Sequence, residues 1–350
     1  MDALYWLLAI FVFGLLIFLH ELGHYLTARA FGVKIEEFSI GMGPKILTYT
    51  SKKTSIKYSL GMLPFGGYVA MLGENEEADS PDAFCKKAAW KRLIITAAGA
   101  TVNLLTGLAL MLVLVLAGGP LASNIVAEYP PDSFFEEHGF TPSSTYGLEV
   151  GDRILAINGQ RVHVGFDMSY EIMRTGGKES TVTVLRDGVE HTLTVTFPSQ
   201  AAEGMTVGIV DFYVAPDARD LGNILTHTWY RTTGTVKMVF ESFIGLFTGE
   251  YGMESVSGPI GVAGAMSDAA ATDPLQFLLL VAVISINLGI LNLFPIPALD
   301  GGRIVFLLIE IIFRRPVPQK YEGIVHFIGI ILLFALMILI LFKDIFALFA

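Results

Sequence analysis

His20-Glu21-Leu22-Gly23-His24 closes an apolar run that begins at Ala3 and extends to Leu26. Residues four apart share one face of a helix, so a helical run sets the two imidazoles side by side. That spacing lets both bind one zinc ion and leaves Glu21 where it can take a proton from water at the metal. A run of this length is enough to cross about 30 Å of hydrocarbon. His20 would lie about 26 Å along it, at the depth of the far leaflet and away from bulk solvent. A metal-binding pattern is thus expected inside a membrane span, where ionisable side chains are costly unless they serve a site.

The bulk composition agrees. Of 350 residues, 53% are hydrophobic and 16% charged, and the mean hydropathy is +0.59. These values favour a membrane protein over a soluble globule. The net charge of -10 argues against nucleic acid as a partner, because phosphate neutralisation needs a basic face. A single cysteine, Cys85, excludes an internal disulfide and any cysteine-rich zinc module. Only Met1 and Asp2 precede the apolar run, and no small-residue cleavage site follows it. It reads as a retained helix and not as a cleaved signal.

Basic residues including Arg29, Lys34, Lys52, Lys53, Lys87 and Arg92 lie before a second apolar run, Leu93 to Leu116. Such enrichment marks the cytoplasmic side, which puts the N-terminus outside and the metal motif towards the cytoplasmic leaflet. Between the runs, Phe38–Tyr49 and Ser55–Met71 read as glycine-punctuated strands turning at Lys52-Lys53. A hairpin this apolar is either a small surface sheet or one that dips into the membrane and offers an edge to an extended peptide. Residues Glu74 to Asp82 read as an exposed acidic loop. In the second run, Gly99, Asn103 and Gly107 recur at four-residue spacing, as close helix packing requires. Asn103 is an amide in hydrocarbon and needs a partner, either in the site or on a substrate backbone.

From Gly118 to about Pro198 the chain becomes polar, with short strands and frequent turns. Gly147-Leu148-Glu149-Val150-Gly151-Asp152-Arg153-Ile154-Leu155-Ala156-Ile157-Asn158-Gly159 resembles the core of a PDZ domain. Thr181–Arg186, a turn at Asp187-Gly188, and His191–Phe197 supply alternating strands that fit it. PDZ modules bind peptides by strand addition; the other role open to this one is a steric plug over a membrane cleft. Following the second span, it is expected outside the cytoplasm. Residues Asp220 to Tyr251 show helical spacing of apolar residues and read as an amphipathic helix on the outer surface, with Trp229 and Tyr230 as interfacial anchors. Gly258-Pro259-Ile260-Gly261 is expected to break the chain before a third span, Leu275 to Phe294.

That span ends in Asn292-Leu293-Phe294-Pro295-Ile296-Pro297-Ala298-Leu299-Asp300-Gly301-Gly302. Entering from outside, it delivers Asp300 to the leaflet of His20 and His24. Three protein ligands with a fourth position open are what catalytic zinc commonly takes. Alternatively, Asp300 caps the helix that follows. Arg314, Arg315 and Lys320 keep the next loop cytoplasmic, and a fourth span, Gly323 to Phe342, returns the C-terminus outside. His326, near its inner end, has no ligand partner at helical spacing and reads as structural. His138, His163, His191 and His227 fall outside the membrane without ligand spacing.

Together these residues resemble the site-2 proteases, zinc metalloproteases that cleave within the membrane, in the bacterial branch with extracytoplasmic PDZ modules. His20-Glu21-Leu22-Gly23-His24 matches the first motif of that family, and Asn292-x-x-Pro295-x-Pro297-x-Leu299-Asp300-Gly301-Gly302 the second. Gly67-Tyr68-Val69 is similar to its membrane-dipping hairpin. The resemblance implies zinc held by His20, His24 and Asp300, with Glu21 as general base. It implies Asn292 and Asn103 as substrate contacts, joined by the hairpin edge at Tyr68. It implies single-span membrane substrates of the anti-sigma-factor or remnant-signal-peptide type, a bacterial cell membrane, and peptide termini as partners at the PDZ groove. Ala100 stands where the second-helix element of the family usually has proline, and only one PDZ module is present.

The expected architecture is a polytopic α-helical membrane protein with four transmembrane helices, a membrane-associated β-hairpin and one extracytoplasmic PDZ domain. Residues 1–117 and 274–350 would form the two halves of the protease core, 118–200 the PDZ domain, and 201–273 a linker carrying the amphipathic helix. The rival readings are a non-catalytic PDZ-bearing membrane adaptor and a metal-ion carrier. The first would tolerate Glu21→Gln; the second needs more polar spans than these.

Overall fold

The computed structural model describes residues 3–74, 76, 78–202, 205–249 and 256–347, without the side chains of 63–65, 202, 205, 247, 319, 345 and 347. The chain divides into two compact units, Met1–Leu110 with Val239–Ala350, and Met111–Met238.

In the first unit, helix α1 (Ala3–Ala30) holds the first motif. It ends where Gly32 takes φ +67 and the Val33 N–H returns to the Ala28 carbonyl at 2.9 Å, a left-handed glycine stop. Strands β1 (Ile35–Thr50) and β2 (Lys57–Met71) follow, then α2 (Ala89–Ala117). The two strands fold back on themselves. Phe38, Ser39 and Ile40 face Tyr58, Ser59 and Leu60 on one side and Val69, Tyr68 and Gly67 on the other. The Gly67–Met71 segment therefore forms an edge of this sheet. Tyr25, Phe38, Val69, Phe84 and Ile95 pack in one apolar cluster that joins α1, the hairpin and α2.

Four described helices are long and apolar enough to cross a membrane: Ala3–Ala30, Ala89–Ala117, Pro274–Leu293 and Lys320–Asp344. The shortest has 20 residues, about 30 Å of helix. The chain is a polytopic membrane protein, as its composition suggests.

The second unit is built on a sheet ordered β10-β3-β4-β6-β7, with β5 paired to β4. Its strands are β3 (Leu121–Glu128), β4 (Arg153–Ile157), β5 (Gln160–Arg161), β6 (Glu179–Arg186), β7 (Val189–Thr196) and β10 (Tyr213–Asp217), while β8 (Ser199–Ala202) and β9 (Met205–Gly208) pair apart. Helices α3 (Asp132–His138) and α4 (Gly165–Thr175) complete it. Asn158-Gly159 and Asp187-Gly188 each place two residues at positive φ, the backbone that tight hairpins need. Ile154, Ile157, Val182, Val184, Val195 and Phe197 fill the core. Because β10 pairs with β3, this sheet draws on chain well past residue 200.

Helix α5 (Leu221–Thr248) occupies most of the amphipathic segment, started by Asp220, which accepts the Asn223 N–H at 2.9 Å. Tyr251 and the side chain of Phe247, counted in that expectation, lie outside the described residues. Trp229 is exposed, but Tyr230 stacks on His163 at 3.9 Å, so it is engaged within the second unit. Further along, Phe240 and Phe243 pack on Phe294, the residue that caps the C-terminal end of the helix Pro274–Leu293.

Gly258-Pro259-Ile260-Gly261 starts a helix where a break was expected. Pro259 is the first residue of α6 (Pro259–Thr272), a position where its missing N–H costs nothing. The Asp344 carboxylate accepts the Gly258 and Gly261 N–H groups at 3.2 and 3.0 Å, capping α6 from another helix. After α6 come α7 (Pro274–Leu293), α8 (Asp300–Phe313) and α9 (Gln319–Ala347), to which Asp344 belongs.

Candidate active site

His20 and His24 lie on the same face of α1, both buried, with their Nε2 atoms 3.2 Å apart. Asp300 opens α8 but does not cap it, since the cap position is Leu299. Its Oδ2 points instead at the imidazoles, 3.1 Å from His20 Nε2 and 3.2 Å from His24 Nε2. The three donor atoms form a nearly equilateral triangle. Ligands about 2.0–2.1 Å from a tetrahedral zinc stand about 3.3 Å from one another, so the spacing fits. Asp300 Oδ2 is buried and has no directed hydrogen bond, which leaves its lone pairs available to a cation.

The rings are held from behind. His24 Nδ1 lies 2.8 Å from the Ile95 carbonyl; donating there puts the proton on Nδ1 and a free lone pair on Nε2, the form that binds a metal. His20 Nδ1 faces the Asn103 amide at 3.5 Å. Asn103 is 1% exposed and its Oδ1 has no partner. Rotating the amide by half a turn, a choice set by hydrogen bonding, would let that oxygen accept the His20 Nδ1 proton. Asn103 is therefore a neighbour of the His20 ring.

Gly99 explains how α2 comes so close. A Cβ there would sit 2.4 Å from His24 Nε2 and 2.7 Å from His20 Cε1. Gly23 does the same for α1, where a Cβ would meet the Ala98 carbonyl oxygen at 2.6 Å. The glycine spacing in α2 thus reflects passage over the imidazoles as well as helix packing.

A cavity of about 150 Å³ opens on these groups, lined by His20, Glu21, His24, Tyr68, Thr96 and Asp300 among others. Gly67 brings the hairpin against Glu21: a Cβ at 67 would lie 3.1 Å from Glu21 Cγ. The Lys45 ammonium stands 4.5 Å over the Tyr68 ring. Asn292 is half-buried and turns its amide back to the Leu288 carbonyl at 2.9 Å, and it does not line this cavity. An adjoining cavity of about 330 Å³ shares Glu74, Thr96 and Arg303 with the first and is also bordered by Cys85, Arg92 and Glu310. Arg303 pairs with Glu74, and Arg92 with Glu310. Spacing alone revealed none of Ile95, Thr96, Glu74 or Arg303, because their place depends on how helices meet.

The sequence profile of Peptidase family M50 matches residues 8–336. A provisionally named zinc metalloprotease of Clostridium acetobutylicum is 34% identical over 342 residues, covering 97% of this chain and 96% of its own. Zinc metalloprotease RasP of Geobacillus kaustophilus is 29% identical, with 96% of each chain covered. The regulator of sigma-W protease RasP of Bacillus subtilis is 28% identical, covering 96% of this chain and 97% of its own. With two imidazoles and a carboxylate converging beside a glutamate, and a family match along nearly its whole length, the chain belongs to peptidase family M50, the site-2 zinc metalloproteases.

Proposed function

We propose that this protease hydrolyses a peptide bond of a single-span membrane protein at the depth of the bilayer, with His20, His24 and Asp300 as zinc ligands and Glu21 as general base. The observation that carries this reading is the triangle of two Nε2 atoms and one Oδ2 facing a cavity that Glu21 also lines. Zinc bound there supplies Lewis-acid polarisation of the scissile carbonyl and a nucleophile at neutral pH. Glu21 takes the proton from the attacking water and passes it to the leaving amine. The Ile95 carbonyl holds the His24 ring in the ligating tautomer, and Asn103, with its amide turned to present Oδ1, would do the same for His20.

A transmembrane helix hides its amides in internal hydrogen bonds, and at about 10 Å across it is too wide for a cavity of about 150 Å³. The substrate therefore enters unwound. The Gly67–Met71 edge, with Tyr68 on the cavity wall, supports pairing with such an extended segment. Asn292 spends one amide N–H on the Leu288 carbonyl, which leaves its Oδ1 and second N–H for a substrate backbone.

We read the second unit as a PDZ domain outside the cytoplasm. Its support is the Gly151-Asp152-Arg153-Ile154 strand entry, the tight turn at Asn158-Gly159 and the alternating core of β4, β6 and β7. It would bind a peptide terminus or screen what approaches the membrane. The basic residues that flank the spans, Arg29, Lys34, Lys87 and Arg92 among them, support termini outside and a metal site towards the cytoplasmic leaflet of a bacterial cell membrane. Substrates resembling an anti-sigma factor fit the relative named for sigma-W regulation.

The test is cleavage of a reconstituted single-span substrate by the wild type and by Glu21→Gln, with and without a zinc chelator. Chelation and Glu21→Gln should each lower turnover by at least about 100-fold, the variant with its zinc still bound. Cleavage by Glu21→Gln at the wild-type rate would refute the mechanism and favour a non-catalytic adaptor.

A further inference from the structure

Asp300 follows a six-residue connection, Phe294 to Leu299, between α7 and α8. Pro295 and Pro297 have no N–H to anchor it. Ala298 adopts φ +79, a left-handed backbone that residues with a Cβ avoid unless their surroundings impose it. The connection is gripped from two sides. From α8, a Cβ on Gly302 would lie 2.7 Å from the Ile296 carbonyl oxygen. From α9, a Cβ on Gly329 would lie 2.4 Å from Pro297 Cβ and 2.6 Å from its carbonyl carbon. One turn earlier on α9, His326 Nδ1 accepts the Ala298 N–H at 3.2 Å.

We propose that His326, with Gly329 beside it, is a positioning residue for the metal ligand Asp300, holding the left-handed Ala298 two residues before it. This rests on the zinc reading of His20, His24 and Asp300. Accepting at Nδ1 requires the neutral ring with its proton on Nε2. That Nε2 is buried and has no hydrogen-bond partner among the described residues. A buried, unpaired donor opposes folding, so an aliphatic side chain here would suit the interior better than histidine does. The bond to Ala298 is the contact that a histidine makes and a leucine cannot. His326 thereby gives α9, the fourth apolar span, a role in the site although none of its described residues lines the metal cavity.

The test is zinc retention by the purified full-length protein after dilution into chelator, read by elemental analysis, together with the thermal midpoint. His326→Leu should lose zinc about 10-fold faster than wild type with its midpoint unchanged or raised. His326→Asn, whose Oδ1 can accept from Ala298, should restore most of the retention; a merely space-filling role predicts no such rescue. Gly329→Ala, which pushes α9 off Pro297, should also speed zinc loss and decides the matter if His326→Leu does not fold. Wild-type retention in folded His326→Leu, or in Gly329→Ala where the first cannot be measured, overturns the proposal. Failure of Asn to restore what Leu loses overturns the hydrogen bond as its cause. A wild type that binds no zinc overturns instead the metal reading beneath it.

Discussion

At the scale of the residue, the site depends on groups that are small or absent as much as on those that ligate. Gly99 faces both imidazoles with no room for a methyl group, and Gly107 faces the buried Ile286 side chain, with Cγ1 at 2.4 Å from a notional Cβ. Gly99→Ala is expected to cost about 1–3 kcal/mol in overpacking and to abolish zinc binding. Gly107→Ala should cost a similar amount but keep its zinc, since it meets no ligand; metal content and melting of the two variants check this. The ligands themselves were legible because a four-residue spacing survives any packing. Asn103 was legible as a buried amide in need of a partner, but not as a neighbour of His20, since its contact spans two helices. His326 could be read only as structural, because its partner is a backbone N–H that no spacing rule reveals.

Among the elements, the hairpin is where the alternatives stood even, as a surface sheet or one that enters the membrane. Met42, Ile46, Leu47, Tyr49 and Met62 are all exposed on it, an apolar surface that suits lipid better than water. If β1 and β2 enter the bilayer, Ile46→Asp should destabilise the protein by about 2.5–3.5 kcal/mol in liposomes. A hairpin in water would change by less than about 0.5 kcal/mol. In the second unit, Asp152 is fully buried and accepts from Arg186 Nε and Nη2, each at 2.7 Å. Burial alone would raise its carboxyl, but the Arg186 fork and the Glu149 N–H outweigh burial and hold it below the ordinary 3.8. A depressed folded value means that this stabilisation is complete above about pH 4 and is lost as pH falls through the folded value. Arg186→Ala should therefore cost about 3–5 kcal/mol at pH 7, and the gap from wild type should narrow in melts taken below pH 4. The helix α6 was missed at the sequence level because Gly258-Pro259 reads as a break, and its cap, Asp344, lies 86 residues away.

For the whole molecule, four apolar runs became four long helices, and the position of Asp300 at the end of the third brought it to His20 and His24. That much followed from counting residues across hydrocarbon. The extent of the second unit did not, because β10 joins its sheet through a pairing between distant strands. The orientation in the membrane can be tested with the one native cysteine. Cys85 borders the larger cavity, and a membrane-impermeant thiol reagent should label it in inside-out vesicles but not in right-side-out ones. Labelling from the outer face would invert the topology. The close passage of α1 and α2 also bears on how the enzyme can move. Gly23 lies on the Ala98 carbonyl and Gly99 on the two rings, so sliding either helix by one residue, about 1.5 Å, would drive a side chain into its neighbour. The two helices behave as a mechanical key and slot, fixed in register. Any opening that admits a polypeptide must come from parts that hinge around this locked pair, while the pair itself stays still.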